Sequence, residues 1–184
     1  MPRMTGQSPS PTDWFALLSK IRADLAALDE ADKRWLHDRI AVIEGLQRAL
    51  DDLFKDAGGT TACADCDGAC CGCGRHHITL TNLLGYLIAG EEPPAPDFTK
   101  SCPYLGEHGC CLPVVRRPYN CITFFCEQLE ENLDTEKRRM LRELDQRLRE
   151  EYQAIADRYR AASLRGIWIA LDRIGEGQIL LSNG

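Results

Sequence analysis

Residues 141–162 read LRELDQRLREEYQAIADRYRAA, and their apolar positions set the frame of the fold. Leu141, Leu144, Leu148, Tyr152, Ile155, Tyr159 and Ala162 recur at steps of three and four, which puts them on one face of an α-helix. The positions between them are mostly charged, many with an opposite charge four residues away, as on a helix whose other faces meet water. The pattern extends across 127–165, with Asp134 or Thr135 placed to cap it. Beyond Gly166, the segment IWIALDRI (167–174) is apolar at helical spacing and is expected to pack back on the body.

The opposite end of the chain carries the same period. Trp14, Leu17, Leu18, Ile21, Leu25 and Leu28 form one stripe, and Leu36, Ile40, Ile43, Leu46, Leu50, Leu53 and Phe54 a second. The stripes lose register across the charged run Asp29–Arg34, so the segment is either two helices or one long helix with a shifted face. Gly58-Gly59 ends it.

Between these helical ends the pattern fails. All ten cysteines lie from Cys63 to Cys126, and periodicity is slight there. Ile78-Thr79-Leu80 alternates like a strand, Thr81 is placed to cap the next segment, and Asn82–Ala89 suits two helical turns closed by Gly90. The proline-rich EEPPAPDF (91–98) reads as a loop. The expected fold is mainly α, with N- and C-terminal helices framing an irregular cysteine-rich metal-binding core with little β. Its parts are 1–62, 63–126 and 127–184, within one folded domain.

Composition narrows the functional classes. The chain has 184 residues and a formal charge of −6, so it has no electrostatic footprint for nucleic-acid binding. Its apolar runs, such as Ile167–Leu171, are far shorter than the roughly 20 residues a membrane helix needs. The opening residues lack the apolar core of a secretory signal, so a cytoplasmic location is expected. In a reducing compartment, crowded thiols point to metal rather than to disulfides. Neither GxSxG nor HExxH occurs, and a thiol hydrolase would need one isolated cysteine beside a histidine. Asp51 and Asp52 read as solvent-side acids at the end of a helix.

The spacing reads Cys63-x2-Cys66-x3-Cys70-Cys71-x-Cys73, Cys102-x7-Cys110-Cys111 and Cys121-x4-Cys126. Two intervening residues let Cys63 and Cys66 turn to one ion, and thiolates select zinc, copper(I) or iron–sulfur clusters. Side chains of adjacent residues diverge, so each CC pair serves two sites, or one site and the core. Two four-sulfur sites or one polynuclear centre are both compatible with about eight ligands.

The order CxxCxxxCC…CPYL…C…RPxxC…C resembles the YkgJ-type cysteine-cluster proteins, described as a zinc- or iron-chelating domain. The likeness covers about residues 60–126, including Ile78–Thr81 after the double cysteine. It implies the metal ligands Cys63, Cys66, Cys70, Cys71, Cys102, Cys111, Cys121 and Cys126, and it assigns Arg117 to the cofactor's surroundings. Cys111 is aligned in preference to Cys110 by its distance from Arg117-Pro118. Ile122 and Pro113-Val114 depart from the family pattern. Cys73 and Cys110 remain as buried small residues, substitute ligands or redox partners.

His76, His77 and His108 are candidate ligands, or imidazoles just outside the donor set. A four-sulfur zinc site is a dianion, so Arg75, Lys100, Arg116 and Arg117 are candidates to offset it. Pro103 and Pro118 stiffen the ligand loops, and Tyr104, Tyr119, Phe124 and Phe125 are candidates to shield the site. Three functions stay open: a closed metal module holding zinc or iron that organises the fold, an iron–sulfur redox or methyltransferase-related enzyme, and a metal storage or delivery protein. The second draws on flagellin lysine-N-methylases, which contain a similar cysteine cluster, but neither CxxxCxxC nor GxGxxG occurs here. The expected partner is a metal ion, without nucleic acid or membrane, and the long amphipathic helices permit a homo-oligomer.

Overall fold

A computed structural model describes residues 9–65, 69–107, 109–174 and 179–181. Two helices open the chain, α1 (Pro11–Ala27) and α2 (Glu30–Asp56). The loss of register therefore marks a real break. Ser10 and Asp13 form a reciprocal capping box with Pro11 in the first turn of α1. Asp29 caps α2 by accepting from the Asp32 amide at 2.8 Å. Gly58, at φ +81°, takes the left-handed conformation past the end of α2, and the chain immediately starts α3 (Gly59–Asp65).

The long C-terminal pattern divides into α6 (Glu127–Glu131) and α7 (Thr135–Arg158), preceded by α4 (Leu80–Ile88) and α5 (Tyr119–Ile122) in the central region. Asp134, and not Thr135, is the cap of α7, accepting from the Lys137 amide at 2.8 Å. The most extensive packing in the molecule is α2 on α7. Leu36, Leu50, Leu148, Tyr152 and Ile155 are fully buried, and Arg39 pairs with Glu151 at 3.0 Å across the rim of the seam. The segment after Gly166 forms α8 (Ile167–Ile174) and does pack back, burying Ile167 and Trp168. Gly166 permits this approach: any Cβ there would collide with the His76 carbonyl, while the Ile167 amide donates to the Ile78 carbonyl at 2.7 Å.

The only β-structure among the described residues is a two-stranded antiparallel ribbon, β1 (Leu105–Gly106) with β2 (Gly109–Cys110), pairing Leu105 with Cys110. The fold is mainly α, as expected. Three local expectations change. Ile78-Thr79-Leu80 is not a strand: Thr79, in place of Thr81, caps α4 in a box with Asn82, because its own side chain reaches the Asn82 amide. Asp51 is buried rather than wet, because Lys55 and Arg117 both turn to it. None of the helices is long and apolar enough to cross a membrane, among the described residues.

Candidate metal centre

The cysteine core is held by polar ties to the frame. Asn82 is their junction. Besides closing its capping box, its amide donates to the Arg117 carbonyl at 3.1 Å and to the Tyr152 hydroxyl at 3.0 Å. Gln47 of α2 donates to the same Arg117 carbonyl at 2.7 Å. α2, α4 and α7 thus fix the turn that leads through Pro118 into α5 and Cys121. The Pro118 carbonyl in turn accepts the Cys121 amide at 2.9 Å.

Arg116 anchors that turn from the other side. Its side chain is 3% exposed, paired with Glu44 and with Glu91 (3.1 Å), and lies over the Tyr86 ring at 5.4 Å from the centroid. Arg116 therefore serves packing, not the thiols, because two carboxylates already claim its charge. Arg75 and Lys100 are also turned to the loops, donating to the Phe98 and Leu105 carbonyls at 3.1 and 3.0 Å. Arg117 has one carboxylate, Asp51, at 3.9 Å, and is shared with the thiols. Its guanidinium donates to the Leu112 carbonyl at 3.3 Å and favours the thiolate forms of Cys110 and Cys121.

Four thiols interact through their charges, and Arg117 acts on two of them, Cys110 and Cys121. Cys71 lies in the 3-10 turn Ala69–His76, Cys102 in the loop before the ribbon, Cys110 in β2 and Cys121 in α5. Every pair among the four interacts electrostatically. Burial, first, and then the neighbouring sulfurs push the Cys71 and Cys121 thiols up to about 12. Burial likewise raises Cys110, against a backbone hydrogen bond and Arg117, which lower it. Cys121 has solvent access on one side, yet enough protein surrounds it for desolvation to dominate. His77 flanks it with Nδ1 3.3 Å from the sulfur, and burial beside His76 lowers the imidazole's pKa, favouring its neutral form.

Space for sulfur is provided by missing side chains. A Cβ on Gly74 would stand 2.8 Å from the Cys102 sulfur, and one on Gly106 would stand 2.7 Å from the Cys111 sulfur. Tyr104 is buried close to Cys102 and Cys110, which suits a shield from water, and its carbonyl accepts the Cys111 amide at 2.9 Å. Phe125 packs edge-on against Phe54 in the core, Tyr119 against Tyr152, and Phe124 is exposed.

The eight sequence-derived ligands do not all converge alike. Cys71, Cys102 and Cys121 belong to the quartet. Cys70 lies beside Cys71, and Cys111 follows Cys110; both are exposed. Cys63 is half-buried near the end of α3, and Cys126 is half-buried against the core at the N-cap of α6. Cys66, His108 and the Cys73 side chain lie outside the described residues. Cys110, left outside the eight as a buried residue, substitute ligand or redox partner, is coupled to Cys71, Cys102 and Cys121. The alternation that turns it away from Cys111 belongs to a strand of only two residues, too short to leave a periodic signal.

Cys70, Cys71, Cys102, Cys110, Cys111, Cys121 and Cys126 are free thiols. Among the described residues, no three His, Cys, Asp or Glu side chains are arranged to hold a metal ion. The side chains themselves are soft sulfur donors, the type that selects zinc, copper(I) or iron–sulfur centres, with glycine-made space at Cys102 and Cys111. No family model, curated protein or solved structure matches the chain.

Proposed function

We propose that the protein is a metal-binding cysteine-cluster module that holds zinc or an iron centre through thiolates. The observation that carries this reading is the electrostatic coupling of Cys71, Cys102, Cys110 and Cys121, thiols from three separate stretches of chain, with the Arg117 guanidinium acting on two of them. A thiol cluster at this density is unfavourable as thiolate without a cation, in keeping with the raised pKa values of Cys71 and Cys121. A divalent ion reverses that balance by drawing the protons off its ligands.

When bound, the metal supplies cross-links between loops that share no regular secondary structure. The chain supplies the rest. Asn82 and Gln47 hold the Arg117 turn, Arg117 offsets sulfur charge, Gly74 leaves room for Cys102, and Tyr104 limits water. His77 is placed to orient the Cys121 sulfur through its ring nitrogen. The fixed ties to α2, α4 and α7 favour an organising role.

Anaerobic purification with elemental analysis and an acid-labile sulfide assay tests the proposal. Stoichiometric zinc in colourless protein, or iron in brown protein, is expected. Protein that is metal-free as isolated and takes up neither ion on reconstitution would overturn it.

A further inference from the structure

We infer that Cys70 and Cys71 form a two-thiol site for a monosubstituted trivalent arsenical, an arsenic atom that keeps one carbon and exchanges its oxygen for two sulfurs. The site goes beyond the metal-binding reading and does not depend on it. Cys71 is common to both, so the arsenical is a ligand of the metal-free protein.

Three observations carry the assignment. First, the pair converges. Both residues lie in the 3-10 turn Ala69–His76, where adjacent side chains stand about 120° apart, and their thiols hydrogen-bond to each other. The other adjacent pair is spread: Cys110 lies in β2, where successive side chains leave on opposite faces, and the Cys111 sulfur lies against Gly106. Second, the pair is within reach of solvent. Cys70 is exposed and Cys71 half-buried, and a Cβ built on Gly72 would meet nothing within 4 Å, so the arsenical's organic group has room beside the sulfurs. Third, two donors are what the turn provides. Among the described residues no three His, Cys, Asp or Glu side chains are arranged to hold a metal ion. A ligand that closes on two sulfurs is satisfied there, whereas arsenous acid, with three exchangeable oxygens, is not.

The same adjacency disfavours the competing fate of two close thiols. Consecutive Cα atoms stand about 3.8 Å apart, short of the roughly 4.4 Å or more that a relaxed disulfide spans. An arsenic atom between the sulfurs lengthens the bridge and relieves that constraint. Binding is exchange without oxidation. Two As–S bonds replace the bonds from arsenic to the oxygen of an arsenoxide, the two thiol protons leave with that oxygen as one water, and arsenic stays trivalent. Because the second thiol is tethered beside the first, the second bond forms within the molecule, an advantage an isolated thiol lacks.

The test adds one equivalent of phenylarsine oxide to metal-free, reduced, full-length protein, with far-UV circular dichroism as the fold control. Intact mass should show one phenylarsenic in place of two hydrogens. Alkylation of the remaining thiols, followed by peptide fragmentation, should find Cys70 and Cys71 protected and Cys110 and Cys111 labelled. Competition with a small dithiol gives the affinity. Cys70→Ser is expected to weaken it by more than about 100-fold, the low end of the gain from tethering a second contact, and Cys111→Ser by less than about threefold. The protection map of the wild type covers the case in which Cys70→Ser does not fold. Protection of any other pair, protection spread over many cysteines, or a folded Cys70→Ser variant that holds the arsenical like the wild type would overturn the inference and leave metal binding standing. A chain that takes up neither zinc nor iron while arsenic protects Cys70 and Cys71 would overturn the metal-binding proposal and uphold this one.

Discussion

The α2–α7 seam and the stretch from Ala69 to Cys126 are stabilised by different physics. The seam buries leucines, isoleucines and a tyrosine in periodic stripes, and each layer resembles the next. The central stretch has short helices, one two-stranded ribbon and long connecting loops. It is positioned by single polar ties at Asn82, Gln47 and Arg116, together with a thiol cluster. Loss of one seam residue removes a share of many contacts, whereas loss of one central tie releases a whole turn. The frame is redundant and the core is not.

The largest expected loss falls on a core tie. Arg116→Ala removes charge-assisted hydrogen bonds to Glu44, which keeps Arg48, and to the half-exposed Glu91, and the loss is about 3 kcal/mol. Urea unfolding should show a drop of that size. A loss below about 1 kcal/mol would mean that water replaces the guanidinium and that the core is less dependent on this tie than its burial implies.

Metal should act on the same side of the comparison. Zinc at a thousand times its dissociation constant adds about 4 kcal/mol to a native state that alone binds it. Hydrogen exchange should locate the gain: new protection across 69–76 and 102–121, with the seam amides of α2 and α7 little changed. Uniform protection of frame and core would show that the two unfold as one unit.

The same contrast explains what could be read from the sequence. The stripes of α1, α2 and α7 were legible because burial in a helix repeats every three to four residues. The division into α6 and α7 was legible only at its second edge, where Asp134 offered a cap; Asn132-Leu133 carries no glycine or proline to mark the end of α6. Cysteine spacing suggested a convergent site, and the family resemblance picked out Arg117, whose charge acts on Cys110 and Cys121. Neither could show that Arg116, its neighbour, is committed to Glu44 and Glu91, since that pairing depends on α2 and on the loop after α4.

A more modest effect separates the regions by pH. Thiols ordinarily titrate near 9, and burial holds Cys71 and Cys121 up to about 12. Between those values the metal-free native state keeps protons that the unfolded chain gives up. Their stabilisation is therefore whole below pH 9 and is lost as pH rises toward 12. The frame's capping carboxylate moves the other way: Ser10 holds Asp13 below its usual 3.8, so that contribution is lost on acidification. Lys55 and Lys137, raised above 10.5 by Asp51 and Asp56, add their own losses only at higher pH. Urea midpoints of metal-free, reduced protein at pH 8, 9 and 10 should therefore fall with the core's thiols, and Cys121→Ala should flatten the slope. Zinc-loaded protein should show the opposite trend on the acid side, since protons compete for its ligands. An unchanged midpoint from pH 8 to 10 in the metal-free protein would mean that the thiols are not held protonated by the fold.

The smallest effect tests the frame's redundancy. Asp134 accepts from the Lys137 amide and stands at the positive end of α7, so Asp134→Ala removes a cap worth about 1 kcal/mol. Because the buried stripe from Leu141 to Ile155 lies further along α7, the loss should stay in the first turn and leave zinc affinity unchanged. Asn82→Ala, a cap on α4 of similar chemistry, should instead lower zinc affinity, because its amide also holds the Arg117 carbonyl. Two capping residues thus give one discriminating measurement. If both variants bind zinc like the wild type, the turn before Cys121 is held well enough by Gln47 alone, and the core shares the frame's redundancy after all.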